Sequence, residues 1–397
     1  MKKLHIADTE QIRSGDVTDV YFVRTEKILK EKRLDKHVCM EIYLKALPEK
    51  QYRWGVFAGL EEVCILLEGR PVTVRALPEG SVFFPQTPVM TIEGRYLDFG
   101  ELETAILGCL CQASGIATKA SRFRIAAEEK PLISFGARRM HPAIAPMVER
   151  SAFIGGCDGV AAVASARLIG EKPSGTIPHA LILIVGDTIE ATKAFDEIID
   201  ESVPRVSLID TFNDEKFEAI RVAESMGERL FAVRLDTPSS RRGDFRNILS
   251  EVRWELDYRG FRHVKLFVSG GLDIPDILDL KDAADAFGVG THISSAAALD
   301  YSMDIVEVEG KPLAKRGKLS GRKSVLRCPA CMKDYVVPYG KTKACGCPGE
   351  PVSRLADVIE SGSIVCDLPD ARRIRARCLE ELGALRKDSA IKEFLGL

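Results

Sequence analysis

The sequence predicts an α/β protein. It is an incomplete, TIM-like α/β barrel, preceded by an N-terminal, mostly antiparallel β (α+β) domain and followed by a small C-terminal zinc-knuckle domain. Three observations carry this. Short apolar strands alternate with amphipathic helices through the middle of the chain, β-rich segments broken by Pro and Gly precede them, and four of the eleven cysteines cluster near the end. The expected domains are 1–117, 118–302 and 303–397.

In the first region, GRPVTVRALPEGSVFFPQTPVMTIEG alternates Val, Thr and Phe between turn residues, as a small antiparallel sheet does. A helical stretch at 102–115 leads into the next domain. The middle region offers strands PLISFGA from Pro131, RVSLIDT from Arg205, LFAVRLD from Leu230, HVKLFVSGG from His263 and AFGVGT from Ala286. Between them lie the helix candidates ERSAFIGGCDGVAAVASARLIG, DTIEATKAFDEII, DEKFEAIRVAESMG and DFRNILSEVRWELDYRG. This is the rhythm of βαβ units, and continuous apolar strands between helices imply a parallel sheet covered on both faces. The last region carries LEELGALRKDSAIKEFL, which reads as an amphipathic closing helix.

The bulk numbers exclude some classes. With 397 residues, 46% hydrophobic, the chain has the composition of a globular protein with a large core. A net charge of −2 from 56 basic and 58 acidic residues argues against bulk attraction to nucleic acid or anionic lipid. The start has no apolar signal region and the longest apolar stretches are too short to span a bilayer, so a cytoplasmic protein without a membrane partner is expected.

The four clustered cysteines, Cys328, Cys331, Cys345 and Cys347, form C-x2-C, thirteen residues, then C-x-C. Two close thiolate pairs joined by a loop can surround one tetrahedral Zn²⁺, and a C-P-x-C turn suits a zinc-ribbon or rubredoxin-like knuckle. In a reducing compartment this outweighs two disulfides. Four sulfurs leave no open coordination position, so the metal is structural. Iron fits the same ligands. Cys39, Cys64, Cys109, Cys111, Cys157, Cys366 and Cys378 read as small buried hydrophobes.

In a barrel, the loops at the C-terminal ends of the strands build the site. Here those ends carry Phe135-Gly136-Ala137-Arg138-Arg139, Asp210-Thr211, Arg234-Leu235-Asp236, Ser269-Gly270-Gly271 and Gly288-Val289-Gly290-Thr291, with Gly175-Thr176 beyond the first helix. Late glycine-rich loops let backbone N–H groups approach a phosphate. Asp210 and Asp236 suit Mg²⁺ or ribose hydroxyls, and Arg138, Arg139 and Arg234 offer bidentate donors to carboxylate or phosphate. A substrate bearing both phosphate and sugar fits. His179, in GTIPHALILIVGD, is either a half-buried structural histidine or a nucleophile at the mouth, and His141 and His292 also follow strand ends.

FGARR, GTIPH, LIDT, VRLD, SGG and GVGTHIS, in this order, resemble the nicotinate phosphoribosyltransferases, in particular the archaeal type with a cysteine knuckle near the C-terminus. The resemblance spans essentially the whole chain. It implies a two-domain fold shared with quinolinate phosphoribosyltransferase. It also implies transfer of phosphoribosyl from 5-phosphoribosyl-1-pyrophosphate (PRPP) to nicotinate, coupled to ATP hydrolysis. By position, Phe135 would stack on the pyridine ring and Arg138 would bind near it. Tyr21 would close the ring sandwich from a neighbouring subunit, making the protein at least a homodimer. Asp210 and Asp236 would sit at ribose, pyrophosphate and Mg²⁺, Arg234 and Thr176 at substrate, and Ser269, Gly270, Gly271, Gly288, Gly290 and Thr291 around the 5′-phosphate. His179 would be the histidine that ATP phosphorylates. The nicotinamide-using relatives carry an acid after the Gly-Thr pair, where this chain has Ile177.

Three other readings compete. Quinolinate phosphoribosyltransferase shares the fold and needs more basic residues around the ring. A zinc ribbon with a basic flank, Lys311, Lys315, Arg316, Lys318, Arg322, Lys323 and Arg327, suits nucleic acid, although a solvated or subunit-facing surface suits it better in a neutral chain. A barrel isomerase or aldolase would want a Lys or Glu at a strand end, and Lys265 is expected at the start of its strand.

Overall fold

Two compact units make up the chain, Met1–Thr118 with Ala297–Leu397 and, between them, Lys119–Ala296. The structure is a computed structural model and describes residues 4–49 and 51–385.

The first unit is built on a seven-stranded antiparallel sheet. Its strand order is Lys311–Pro312, Tyr301–Val308, His37–Leu44, Pro88–Arg95, Thr73–Ala76, Ala356–Glu360, Ser363–Ile364. The alternation in TVRA is visible as buried Val74 and Ala76 beside half-buried Thr73 and Arg75. Buried residues of the sheet join the helix Leu60–Leu67 and the start of the helix Glu103–Ala127 in one core with Ile42, Leu44, Phe57, Phe83, Ile92 and Phe99. The expected link at 102–115 is the first half of that 25-residue helix.

Residues 303–397, expected as a domain of their own, fall in this unit because four strands from this region complete its sheet. Tyr301–Val308 pairs with His37–Leu44, and Ala356–Glu360 with Thr73–Ala76. The cysteine segment adds a separate three-stranded sheet, Asp334–Pro338, Lys323–Arg327, Val352–Ser353. The closing helix is Ala371–Leu385, and the rest of the expected amphipathic stretch lies outside the described residues.

The second unit holds a six-stranded, all-parallel sheet: Gly159–Val160, Leu132–Ser134, Ala286–Val289, Lys265–Val268, Ala232–Leu235, Val206–Leu208. Five of these are the strands the sequence predicts. The sheet is a curled half-barrel whose two edge strands, Gly159–Val160 and Val206–Leu208, do not pair with each other. The chain between them forms the helices Val163–Leu168, His179–Val185 and Thr188–Ile198 and no strand.

One expected element is corrected. Residues 149–170 do not form a single helix. The helix Ala145–Ile154 stops at Gly155-Gly156, and the strand Gly159–Val160 follows. Gly156 has φ +115°, and a Cβ there would lie 2.7 Å from Arg124 Cγ, so a backbone turn replaces the continuous helix expected there. No helix among the described residues is long and apolar enough to cross a membrane.

Candidate active site and cysteine knuckle

The half-barrel brings most of the predicted strand-end residues together. The decisive segment is 174–179, on the open side of the sheet. Ser174 N–H donates to Val160 O on one edge strand (2.8 Å), while His179 Nδ1 lies 3.0 Å from Thr211 Oγ1 just beyond the other. Pro178, extended at φ −87° and ψ 157°, sets the start of the helix His179–Val185 at the histidine itself. Gly186, in the left-handed region, ends that helix, and Asp187 caps the next by accepting from Ile189 and Glu190 N–H.

His179 Nε2 faces two carboxylates, Asp210 Oδ2 and Asp236 Oδ2, each at 3.7 Å. Asp236 is held from behind. Ser269 Oγ–H donates to Asp236 Oδ1 (2.6 Å), Arg234 Nε–H donates to Ser269 Oγ (2.8 Å), and Arg234 Nη2 lies 3.2 Å from Asp236 Oδ2. Arg234 Nη1–H reaches across to Thr176 Oγ1 (2.9 Å). Three strand ends and the bridging segment therefore share one polar network.

Asp210 is treated differently. Its Oδ1 is buried without a hydrogen-bond partner. Burial pushes its carboxyl above the usual aspartate range and the Asp236 charge adds to this, while His179 acts in the opposite sense. A buried carboxylate oxygen left open, beside a second carboxylate, is a donor set that suits a hard divalent cation.

Phe135 packs against Arg234, whose guanidinium carbon is 5.1 Å from the ring centroid, and against Phe267 at 5.8 Å. Gly288 makes room for this ring, since a Cβ there would lie 2.4 Å from Phe135 Cε2. Its role is thus to seat the aromatic, which the motif GVGT alone could not show. Gly270 and Gly271 both have positive φ, +100° and +76°. A Cβ on Gly270 would meet Asp236 O at 2.9 Å, whereas Gly271 faces open space. Gly290 and Thr291 start the short helix Thr291–Ser294 with Thr291 exposed.

Arg138 and Arg139 follow Phe135 in a short 3-10 turn, exposed and without an acidic partner among the described residues. His141 is spent on its own turn, accepting from Ala143 N–H at 3.2 Å, and His292 is exposed. Tyr21 stands exposed in the first unit, on the helix Val20–Lys32. Lys265 begins its strand and pairs with Asp285 at 3.6 Å, as expected of a residue at the wrong end for catalysis. Ile177 is buried in an apolar cluster with Ile182, Ala191 and Leu208. The Ile177 side chain is thus part of that core. Sequence reasoning gave no role to Thr211, the partner of His179 Nδ1, because a threonine after an aspartate carries no signal until the fold brings the histidine to it.

In the first unit, Cys328, Cys331, Cys345 and Cys347 place their sulfurs within 4.8 Å of one another. Cys328–Cys347 and Cys345–Cys347 are 3.1 Å apart and Cys331–Cys345 3.6 Å. A tetrahedron of ~2.3 Å Zn–S bonds needs sulfurs ~3.8 Å apart, so a small outward shift admits the ion. Tyr335 Oη–H donates to Cys345 Sγ at 3.2 Å, a bond that would orient a ligand from outside the coordination sphere. The basic flank is mostly neutralised. Lys315 and Lys318 pair with Asp304, Arg322 with Glu93 and Glu307, Lys323 with Glu41, and Arg327 with Asp334 and Glu381.

Two family models match consecutive stretches of the chain: the quinolinate phosphoribosyl transferase N-terminal domain over residues 19–114 and the C-terminal domain over 116–304. The chain belongs to this phosphoribosyltransferase family. Relatives named for nicotinate lie within the same superfamily. A nicotinate phosphoribosyltransferase of Mycobacterium tuberculosis (strain CDC 1551 / Oshkosh) is 29% identical over 419 residues, covering 94% of this chain and 92% of the relative. Among solved structures, a nicotinate-nucleotide pyrophosphorylase from Pyrococcus furiosus superposes with a TM-score of 0.95 at 56% identity, covering 97% of this chain and 99% of the other. Human nicotinic acid phosphoribosyltransferase shares the fold, with a TM-score of 0.72 at 20% identity over 92% and 94% of the two chains. The half-barrel with its strand-end cluster is the phosphoribosyltransferase fold, and the mouth just described is its candidate active site.

Proposed function

We propose that this phosphoribosyltransferase joins nicotinate to PRPP, giving nicotinate mononucleotide and pyrophosphate in NAD biosynthesis, with ATP hydrolysis coupled through His179. The observation that carries this is the imidazole held between Thr211 on one side and two carboxylates on the other. A merely structural histidine would be buried and satisfied, whereas this side chain is 40% exposed at the mouth. Its partners fix the ring while one nitrogen is left to attack phosphorus.

In the transfer itself, nicotinate nitrogen attacks ribose C1 as the bond to pyrophosphate breaks, through an oxocarbenium-like transition state. The ring nitrogen carries its own lone pair, so no general base is required. The protein's task is to position both substrates and to stabilise charge. Phe135 stacks on the ring, with Arg138 and Arg139 available to the carboxylate. Asp210 and Asp236 take the ribose side, and Gly270, Gly271, Gly290 and Thr291 take the 5′-phosphate. Mg²⁺ bound by Asp210 and Asp236 would neutralise pyrophosphate as it leaves.

The four cysteines hold a structural zinc in this reading, and one equivalent of metal per chain by elemental analysis is its measurable sign. Three exposed apolar residues, Leu183, Ile184 and Val185, lie on the helix that carries His179. Such surface is what subunits cover, which supports a homo-oligomer whose sites Tyr21 completes. A cytoplasmic enzyme without nucleic-acid or membrane partners fits these substrates.

Purified protein with PRPP and Mg²⁺ would be offered nicotinate, nicotinamide and quinolinate separately, with and without ATP. The expected result is nucleotide from nicotinate alone, stimulated by ATP, with the stimulation lost in His179→Ala. Stimulation that survives in His179→Ala returns the histidine to a structural role. Turnover of quinolinate with release of CO₂ transfers the chain to the quinolinate branch, and turnover with none of the three bases overturns the assignment.

A further inference from the structure

The strand-end glycine loop has a neighbour that no sequence motif marks. Arg242 is only 8% exposed, yet no carboxylate among the described residues pairs with it. Its Nε–H donates to Thr237 O at 2.9 Å and Nη2–H to Gly270 O, and its guanidinium carbon stands 4.7 Å over the Phe245 ring. Two carbonyl dipoles and one aromatic face hold the group rigidly without neutralising it. A buried cation with no counter-ion is costly unless an anion completes the site. The half-buried arginine at the mouth, Arg234, has Asp236 for this purpose. Arg205 likewise pairs with Asp196 at 2.8 Å.

The surroundings say where the anion sits. Arg242 reaches the loop through Gly270, where a Cβ would come within 3.0 Å of Nη2, so a side chain there would push the guanidinium away. Gly271, the next residue, has open space where its Cβ would be. Nη1 makes no hydrogen bond among the described residues and keeps some solvent contact. The result is a fixed positive edge beside exposed backbone at a loop with two left-handed glycines, an arrangement suited to a phosphate monoester dianion.

We infer that Arg242 binds the 5′-phosphate of the phosphoribosyl substrate, supplying the formal charge that the glycine loop lacks. This rests on the mouth being a phosphoribosyl site as proposed above. Arg242 also ties the strand end at Thr237 to the one at Gly270, so phosphate binding and the seating of Asp236 are mechanically linked.

The test measures binding of ribose 5-phosphate, ribose, pyrophosphate and nicotinate by calorimetry, in wild type, Arg242→Lys and Arg242→Gln, with melting temperatures alongside. Arg242→Gln should bind ribose 5-phosphate about tenfold to a hundredfold more weakly, the range for losing a charge-assisted contact. Nicotinate affinity should stay within about twofold, and Arg242→Lys, which keeps the charge, should recover most of the loss. Ribose 5-phosphate affinity retained in Arg242→Gln, a loss in Arg242→Lys as large as in Arg242→Gln, or a loss confined to pyrophosphate overturns the inference. If Arg242→Gln does not fold, the wild-type complex with ribose 5-phosphate decides. A phosphate oxygen in hydrogen-bond contact with Arg242 supports the inference, and a phosphate bound out of its reach overturns it. Wild type that binds ribose 5-phosphate through Arg242 but makes no nucleotide would sink the nicotinate proposal alone. Nucleotide formation with unchanged affinity in Arg242→Gln would sink this inference alone.

Discussion

Two charged regions of the chain invite opposite expectations from sequence, and the structure reverses them. The run 311–327 carries seven basic residues without an acid, while the half-barrel mouth mixes arginines with aspartates. In the structure the run is the satisfied one. Five of its cations meet carboxylates, and three of these carboxylates are nearly buried: Glu41, Asp304 and Asp334. The mouth is the unsatisfied one, with an orphan oxygen on Asp210, an uncountered guanidinium on Arg242 and two exposed arginines after Phe135. Charges that serve the fold find partners within it. Charges that serve a ligand are held rigidly and left open, and it is this openness, more than the residue types, that marks the site.

This contrast can be broken by exchanging the readouts. The largest effect on stability should come from Arg327, 3% exposed and bonded to Asp334, Glu381 and Val82 O. Arg327→Met leaves Asp334 without its cation and Glu381 with Arg354 alone, and should cost about 3–5 kcal/mol, read by urea denaturation, with turnover of the folded fraction unchanged. Asp236→Asn should do the reverse. It should lower kcat/KM by about a hundredfold or more, the cost of losing one transition-state contact, with little change in the denaturation midpoint. A large stability loss in Asp236→Asn, or an activity loss in folded Arg327→Met, would erase the distinction.

A smaller effect sharpens it. Burial raises the Asp210 carboxyl, so the folded protein holds that proton more tightly than the unfolded chain does. Stability from this group therefore rises as pH falls from the raised value toward the ordinary aspartate range, and above that window the buried charge is a net cost. Asp210→Asn should lose activity yet melt roughly a few degrees higher at pH 7, by calorimetry. Its advantage should shrink at acid pH. An unchanged or lowered melting temperature at pH 7 would mean that the orphan oxygen is stabilised in the folded protein.

Much of this was legible from residues alone. The five predicted strands of the half-barrel are in place because apolar runs bounded by polar strand ends specify a covered parallel sheet with few alternatives. The knuckle was legible for a similar reason, since cysteine spacing limits which sulfurs can converge. The expected single helix fails at 149–170, where Gly155-Gly156 turns the chain into a further strand.

What only the tertiary structure decided is which polar groups meet. The sequence by itself determined the fold class and the polar residues carried at the strand ends, because those follow from periodicity and glycine chemistry within short windows. It could not bring Thr211 to His179, seat Phe135 over Gly288, or leave Arg242 without an acid. These depend on how loops from separate strands approach across the sheet, and a contact between distant segments carries no signature in either segment alone.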